Sequence, residues 1–164
     1  MKKIIFSLVG LTFIISLTGC GIKEEGSQIK LEKGNFSIIC DSKTEDFGSI
    51  KTQNKTTYNF NKDKNLINYS IITTQNFKEK SVYEEYKKAQ EETIKTNSSE
   101  SILYNLKSND SSKTLIFTMA ITDINLDNVQ NEEEKERMKA STILKNQTET
   151  NTCKVEGIDK SELK

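Results

Sequence analysis

The chain has 164 residues, with 24 basic and 24 acidic side chains, and it contains no His, Pro or Trp. Without His there is no imidazole base, which excludes Ser-His-Asp and Cys-His catalytic arrangements and imidazole zinc sites. Arg137 is the only Arg, so bidentate recognition of phosphate or carboxylate is almost absent. The balanced charge gives no electrostatic footprint for nucleic acid. The length predicts one domain.

The first twenty residues have the organisation of a bacterial export signal. Met1-Lys2-Lys3 is a basic start, and Ile4–Leu17 is a mostly apolar run of 14 residues. This run is short of the ~20 residues that a membrane-spanning helix needs. Leu17-Thr18-Gly19-Cys20 resembles the lipobox of bacterial lipoprotein precursors, in which the Cys receives a diacylglycerol and becomes the new N-terminus. We therefore expect a signal peptide over residues 1–19 and lipidation of Cys20, with an ordinary secretory signal as the alternative.

Lipidation at Cys20 predicts attachment to the extracytoplasmic face of the cell membrane. Two acyl chains hold a protein stably at a bilayer, where each buried CH₂ contributes ~0.8 kcal/mol. Removal of Lys2 and Lys3 leaves 22 basic and 24 acidic side chains, so attraction to anionic lipid is weak and the acyl group would be the anchor. Residues 20–34, which are polar and contain three Gly, predict a flexible tether with a reach of roughly 20 Å.

Residues 35–156 predict one α+β domain with the order β-β-β-α-β-β-α-β, a mostly antiparallel sheet and two helices packed on one face. Alternating apolar residues predict six strands, around 36–40, 56–60, 67–73, 102–106, 115–121 and 153–155. A helical repeat predicts a helix after Ser81, with Ser81 and Glu84 as a capping box. A weaker helix is predicted from about Glu132 to Gln147, capped by Asn131. The polar tail 157–164 is expected to fray.

Cys40 lies in the first predicted strand and Cys153 in the last. In an oxidising compartment such a pair predicts a disulfide. Both thiols reach one bond only if their Cα atoms lie within ~7 Å, so the last strand should return to the first. The bond would close a loop of 113 residues, worth roughly 5 kcal/mol in the chain-entropy model. Two separately buried thiols are the alternative, and a catalytic thiol is disfavoured because no His could deprotonate it.

The stretch from Asp123 to Glu134 matches an EF-hand calcium loop at several oxygen-ligand positions. Asn128 stands where Gly is expected, and the preceding element is predicted to be a strand that Ile124 and Leu126 continue. We therefore favour a strand end that runs into a capped helix over a calcium site. Carboxylates in a first helical turn interact well with the helix dipole, which explains Glu132–Glu134 and Glu136 better than a glycosidase pair does. No metal or cofactor is predicted.

The Tyr residues are the remaining candidates for a site, because all five lie on predicted inward faces: Tyr58, Tyr69, Tyr83, Tyr86 and Tyr104. Core packing is the favoured role for them. An aromatic wall that binds a ligand is the alternative.

The whole arrangement resembles the YehR-like bacterial lipoproteins. The resemblance rests on the lipobox, Cys40 before an acidic-polar stretch, a hairpin around Asp63, the helix from Ser81, the strand end from Ile121 to Asp127, and Cys153. It implies a compact α+β domain at the cell envelope and the disulfide, and it implies no activity, because no catalytic or binding residue is established for the family.

These observations predict a non-enzymatic, lipid-anchored monomer with a binding or structural role. Its expected partners are the membrane, an envelope protein or a small ligand, and not nucleic acid. An alternative is a lipoprotein that binds a small ligand or an ion in a cleft between sheet and helices. A hydrolase that uses paired carboxylates is the least favoured class.

Overall fold

A computed structural model describes residues 33–163. The predicted signal peptide (residues 1–19), the predicted lipidation site Cys20 and the predicted tether up to residue 32 lie outside the described residues. The described chain forms seven strands: β1 (Phe36–Asp41), β2 (Glu45–Asp46), β3 (Ile50–Phe60), β4 (Leu66–Phe77), β5 (Ile102–Asn109), β6 (Thr114–Ile121) and β7 (Thr152–Glu156). Its α-helices are α1 (Lys80–Asn97), α2 (Glu132–Arg137) and α3 (Ala140–Thr148). The predicted α+β class is confirmed.

The strands form one antiparallel sheet in the order β5-β6-β4-β3-β1-β7, and β2 extends it by pairing with β3. The last strand lies beside the first, with Ile38 opposite Val155 and Cys40 opposite Cys153. The prediction that the last strand returns to the first is therefore confirmed.

The two longer helices, α1 and α3, pack on one face of the sheet. Residues that lie opposite each other on antiparallel strands share a face. The register aligns Phe36 with Phe60 and Ile50 with Phe77, and Gln75 with Leu115. The strand residues of both helix-packed core clusters, from Phe36 and Phe60 to Phe77 and Leu115, belong to this face, which we call the helix face. The packing of the two longer helices on one face is as predicted.

Two groups of buried side chains form on the helix face. The first group, which we call the α3 cluster, surrounds α3 and the β1–β7 edge: Phe36, Ile38, Cys40, Phe60, Leu66, Ala140, Ile143, Leu144 and Leu163. The second, the α1 cluster, consists of Phe77, Tyr83 and Leu115, with Ile50, Val82 and Leu106 packed against it. Residues 33–163 thus contain the sheet, the helices and both clusters.

Helix α1 begins earlier than the sequence predicts. Its N-cap is Glu79, in an extended conformation, and this residue makes no side-chain capping hydrogen bond. Ser81 is the second residue of the helix, so the predicted capping box of Ser81 and Glu84 is wrong. The main chain fixes the start of the helix, because β4 continues to Phe77 and the N–H of Lys78 donates to the carbonyl oxygen of Ser49 at 2.9 Å.

The second predicted helix is divided into α2 and α3. Asn131 caps α2 as predicted, since its Oδ1 accepts from the N–H groups of Glu133 (2.9 Å) and Glu134 (3.4 Å). The helix stops at Arg137, and Lys139 is extended and forms an isolated β-bridge with Asn65 in the β3–β4 turn. This long-range bridge interrupts a helical pattern that the local sequence alone would continue.

Strand β6 ends at Ile121, so the expectation that Ile124 and Leu126 continue its alternation is wrong. Asp123 has a φ of 58°, which turns the backbone out of the sheet. The N–H of Ile124 then donates to the carbonyl oxygen of Ile67 at 2.9 Å, and Leu126–Asn128 form a 3-10 helix. The chain therefore crosses back towards α2 immediately after β6.

The residues after β7, which the sequence predicts to fray, contain a helical turn and one buried side chain. Lys160–Leu163 form a 3-10 helix, and Leu163 is buried in the α3 cluster. The ammonium group of Lys64 donates to the carbonyl oxygen of Glu162 at 2.5 Å. An apolar contact and a hydrogen bond thus hold this segment, although only Ile158 and Leu163 interrupt its polar sequence.

Candidate functional site

Cys40 and Cys153 form a disulfide, with their Cα atoms 4.1 Å apart. Cys40 is buried in the α3 cluster, and Cys153 packs against it. The disulfide that the sequence predicts is present, and the alternative of two separate thiols is wrong. The bond is structural, since it fastens the first strand to the last beneath α3.

The fold does not support the interpretation of Asp123–Glu134 as a calcium-binding loop. Within residues 33–163 no group of three or more His, Cys, Asp or Glu side chains is arranged to hold a metal ion. Asn125 Oδ1 accepts from the N–H of Asp127 at 2.9 Å, and Asn131 Oδ1 caps α2. Two of the oxygen atoms that a calcium ion would need therefore bind backbone N–H groups.

Three of the four carboxylates of α2 pair with bases of their own helix or of the residues after it. Glu132 binds Lys135 at 2.7 Å and Glu133 binds Arg137 at 2.6 Å, and both pairs are solvent-exposed. Glu136 pairs with Lys139 at 2.5 Å, and this hydrogen bond lowers the pKa of the Glu136 carboxyl. The acidic cluster is thus a set of exposed intrahelical and helix-end ion pairs, which contribute little stability each.

The Tyr residues divide into two groups. Tyr83 is fully buried and anchors α1, and its hydroxyl donates to Asp110 in the β5–β6 turn. Lys87 binds the same carboxylate at 2.9 Å. Tyr86 is exposed at the surface of α1, with its ring 5.3 Å from that of Phe77. Core packing, the favoured role of the Tyr residues, therefore describes Tyr83, and Tyr58 and Tyr69 also pack against the α3 cluster.

The other three Tyr residues lie on the helix face of the sheet. The register places Tyr58, Tyr69, Ile121 and Ile102 in one row across the helix face, with Ile71, Met119 and Tyr104 in the next row. Phe117 follows in a third row. All eight side chains are half-buried, and we call them the aromatic strip. They span four strands, which corresponds to roughly 14 Å.

The strip is apolar but carries phenolic hydroxyls. The rings of Tyr58 and Tyr69 are 6.0 Å apart, and those of Tyr104 and Phe117 are 5.6 Å apart. Burial, followed by the neighbouring Tyr69, raises the pKa of Tyr58 to about 12. Burial and then Tyr104 raise the pKa of Tyr69. Both hydroxyls are therefore neutral at physiological pH.

A block of polar residues borders the strip on the α1 side. Thr73 donates to Asn54 Oδ1 at 2.7 Å, and the next row pairs Thr52 with Gln75. Thr52 Oγ1 and Gln75 Oε1 are buried without a hydrogen-bond partner. The sequence contains a signal that could have predicted this block, because the inward-facing positions of β3 and β4 change from aromatic to polar halfway along each strand.

No protein-family model matches this sequence, and comparison with curated proteins and with solved structures found no match. The α-helices within residues 33–163 are too short or too polar to cross a bilayer. The disulfide, the aromatic strip and the sequence motif at Cys20 are therefore the features on which a functional proposal can rest.

Proposed function

We propose that the chain is a lipid-anchored extracytoplasmic protein of the bacterial cell envelope, with a non-catalytic binding role. One observation carries the proposal: a chain whose residues Leu17–Cys20 resemble a lipobox folds into a domain whose first and last strands are joined by a disulfide. Structural disulfides persist in oxidising compartments outside the cytoplasm and are rare within it. Membership of the YehR-like lipoproteins is part of this proposal.

The reactive side chains are already bonded or paired with one another, which supports a binding role rather than a catalytic one. The thiols of Cys40 and Cys153 are bonded to each other, and the α2 carboxylates Glu132, Glu133 and Glu136 are exposed and paired with bases. A glycosidase needs one carboxyl with a raised pKa. The pKa of Glu136 is instead lowered by Lys139.

Substitution of Cys20 tests the anchor. The full chain is expressed in a bacterial host that processes lipoproteins, and its size and partition into a detergent phase are measured. The wild-type chain should be shortened and should enter the detergent phase, because two acyl chains bind membranes stably. Cys20→Ala should remain at precursor length.

Cys153→Ala is the matched control, since it also removes one Cys but leaves the lipobox intact. It should be processed and should partition as the wild-type chain does. If Cys20→Ala is processed and enters the detergent phase to the same extent, the lipoprotein proposal is wrong.

A second candidate function is the binding of a small ligand in the cleft between sheet and helices. The half-buried aromatic strip favours it, because three Tyr residues and five apolar side chains lie together on the helix face of the sheet. Ligand sites are typically lined by apolar and aromatic groups with a few polar atoms.

A further inference from the structure

We propose that Cys153 is the sulfur through which external thiols and disulfides exchange with the Cys40–Cys153 bond, and that the partner is a dithiol–disulfide oxidoreductase that approaches the sheet at its β7 edge. The same mixed disulfide, with the partner joined to Cys153 and with Cys40 as a free thiol, is the intermediate of reduction and of bond formation. The inference goes beyond the proposed binding role. It concerns the folded domain and does not depend on lipidation of Cys20.

The two Cys residues occupy different places in the sheet. Strand β1, which contains Cys40, lies between β3 and β7, so Cys40 has Thr56 opposite it on one side and Cys153 on the other. Strand β7 is an edge strand, and within residues 33–163 no strand pairs with its outer side. A thiol that approaches this edge of the sheet therefore meets Cys153 before Cys40.

Burial distinguishes the two Cys residues in the same sense. Cys40 is 2% exposed and is a member of the α3 cluster, whereas Cys153 is half-buried and packs against that cluster. Thiol–disulfide exchange requires a thiolate to reach one of the two sulfur atoms, so access selects the sulfur that is attacked. Attack on Cys40 requires the elements that bury it to move, whereas attack on Cys153 leaves β1 between its neighbours.

Reduction of the bond proceeds in two displacements. A thiolate of the partner attacks Cys153 Sγ, the bond between the two Cys residues breaks, and Cys40 leaves as a thiolate that takes a proton from water. The partner's second thiolate then attacks the partner sulfur of the mixed disulfide and releases Cys153, so the partner's dithiol loses two electrons and the Cys pair gains them. Bond formation follows the same steps in reverse, with the disulfide of the partner as the oxidant.

The buried position of Cys40 favours a dithiol over a monothiol as the partner. Apolar surroundings disfavour a thiolate, and the released Cys40 sulfur stays beside Cys153 because β1 and β7 remain paired. The Cys40 thiolate therefore attacks the mixed disulfide again and expels a monothiol. A dithiol avoids this reversal, because its second thiol completes the reduction within the same complex.

The test uses the oxidised chain from Gly21 onward, which contains the whole described fold and only these two Cys residues. The probe, added in large excess, is a thioredoxin whose second active-site Cys is replaced by Ser, so that it stops at the mixed disulfide. After an acid quench, digestion separates residues 34–43, with Cys40, from residues 146–154, with Cys153. Mass spectrometry should find the probe on Cys153 at least about tenfold more often than on Cys40, and the ratio should approach one in urea.

Two single-Cys variants form a matched pair, because each of them lacks the same bond. The Cys153 thiol of Cys40→Ala should react with glutathione disulfide at least about tenfold faster than the Cys40 thiol of Cys153→Ala, while circular dichroism shows that both chains are folded. In urea, where both thiols are exposed, the two rates should agree within about twofold.

Equal or preferential attachment of the probe to Cys40 in the native wild-type chain would overturn the proposal, and so would attachment that occurs only in urea. The wild-type experiment decides the matter if either variant fails to fold. These results leave the Cys20 partition experiment untouched, so failure of the exchange site and failure of the anchor are separate outcomes.

Discussion

Helices α1 and α3 pack on the same face of the sheet, but different contacts hold them there. Around α3, nine buried residues form one cluster, three of them from the helix itself, and a disulfide fastens the strands below. Around α1, the buried cluster has three members, and Tyr83 is the only buried residue of an 18-residue helix. Each fully buried apolar side chain contributes about 1.5–3 kcal/mol, so α3 is held more strongly than α1.

This difference in packing predicts which part of the domain unfolds locally first. Regions with few buried apolar contacts exchange and unfold locally at lower free energy than the core does. Helix α1 should therefore detach from the sheet before α3 does. Two residues of the aromatic strip, Tyr58 and Tyr69, pack against the α3 cluster and therefore belong to the more firmly held region.

Removal of the disulfide is the largest expected effect. The double variant Cys40→Ala, Cys153→Ala should lose about 4–5 kcal/mol in the free energy of unfolding, because the bond closes a loop of 113 residues in the unfolded chain. Urea denaturation measures the loss. The wild-type chain in reductant is the control and should unfold at nearly the same urea concentration. A loss below about 1 kcal/mol would mean that α3 packing alone secures the β1–β7 edge.

Tyr83→Ala should cost about 3 kcal/mol, since it removes the one fully buried side chain of α1. Tyr83→Phe keeps the ring and should cost about 1 kcal/mol, the value of the hydrogen bond to Asp110. Hydrogen exchange should show faster exchange of α1 amides in both variants. Equal acceleration in α3 would contradict the separation of the two regions.

The bond to Asp110 also predicts a pH dependence of α1. The hydrogen bond from Tyr83, followed by that from Lys87, lowers the pKa of the Asp110 carboxyl below its usual 3.8. A lowered folded-state pKa gives stability that is present above the ordinary value and is lost as the pH falls through the lowered one. The difference in melting temperature between the wild-type chain and Asp110→Asn should therefore be constant above about pH 5 and shrink below about pH 4.

The control for this pH dependence is the same pair of chains in a Tyr83→Phe background, where the difference should be smaller at every pH. A difference that stays constant down to about pH 2.5 would show that the Asp110 carboxyl is not coupled to the position of α1.

The smallest expected effect concerns the polar block beneath the α1 region. Thr52→Val should leave stability unchanged or raise it by up to about 1 kcal/mol, because Thr52 Oγ1 is buried without a hydrogen bond. Thr114→Val is the matched control and should lose about 1 kcal/mol, since Thr114 is buried and donates to Asn76 Oδ1 at 2.6 Å. A comparable loss in both variants, measured by thermal denaturation, would show that Thr52 Oγ1 is satisfied in solution.

The sheet could be predicted because its signals are local. Alternation of Phe36, Ile38 and Cys40, and of Leu115 to Ile121, marks strands whatever their neighbours are. The same alternation placed both Cys residues in strands, and chemistry then predicted their pairing. Strand β2 was missed, because its two residues, Glu45 and Asp46, are polar and too few to form a pattern.

The errors occur where a distant contact overrides a local motif. The pairing of Lys139 with Asn65 interrupts the second predicted helix. Leu163 holds the polar tail against the domain, because its side chain is buried in the α3 cluster. The aromatic strip has a related cause. Sequence identified Tyr58, Tyr69 and Tyr104 as inward-facing, but only the positions of α1 and α3 decide which inward residues remain half-covered.

The pairing of β1 with β7 has a consequence for the order of folding. Cys153, which lies opposite Cys40 across this edge, follows it by 113 residues. Until β7 is in place, the outer edge of β1 has no strand beside it and the Cys40 thiol has no disulfide partner. Unpaired edges are templates for association with other chains. A partly folded chain without β7 therefore exposes an edge at which other chains can associate.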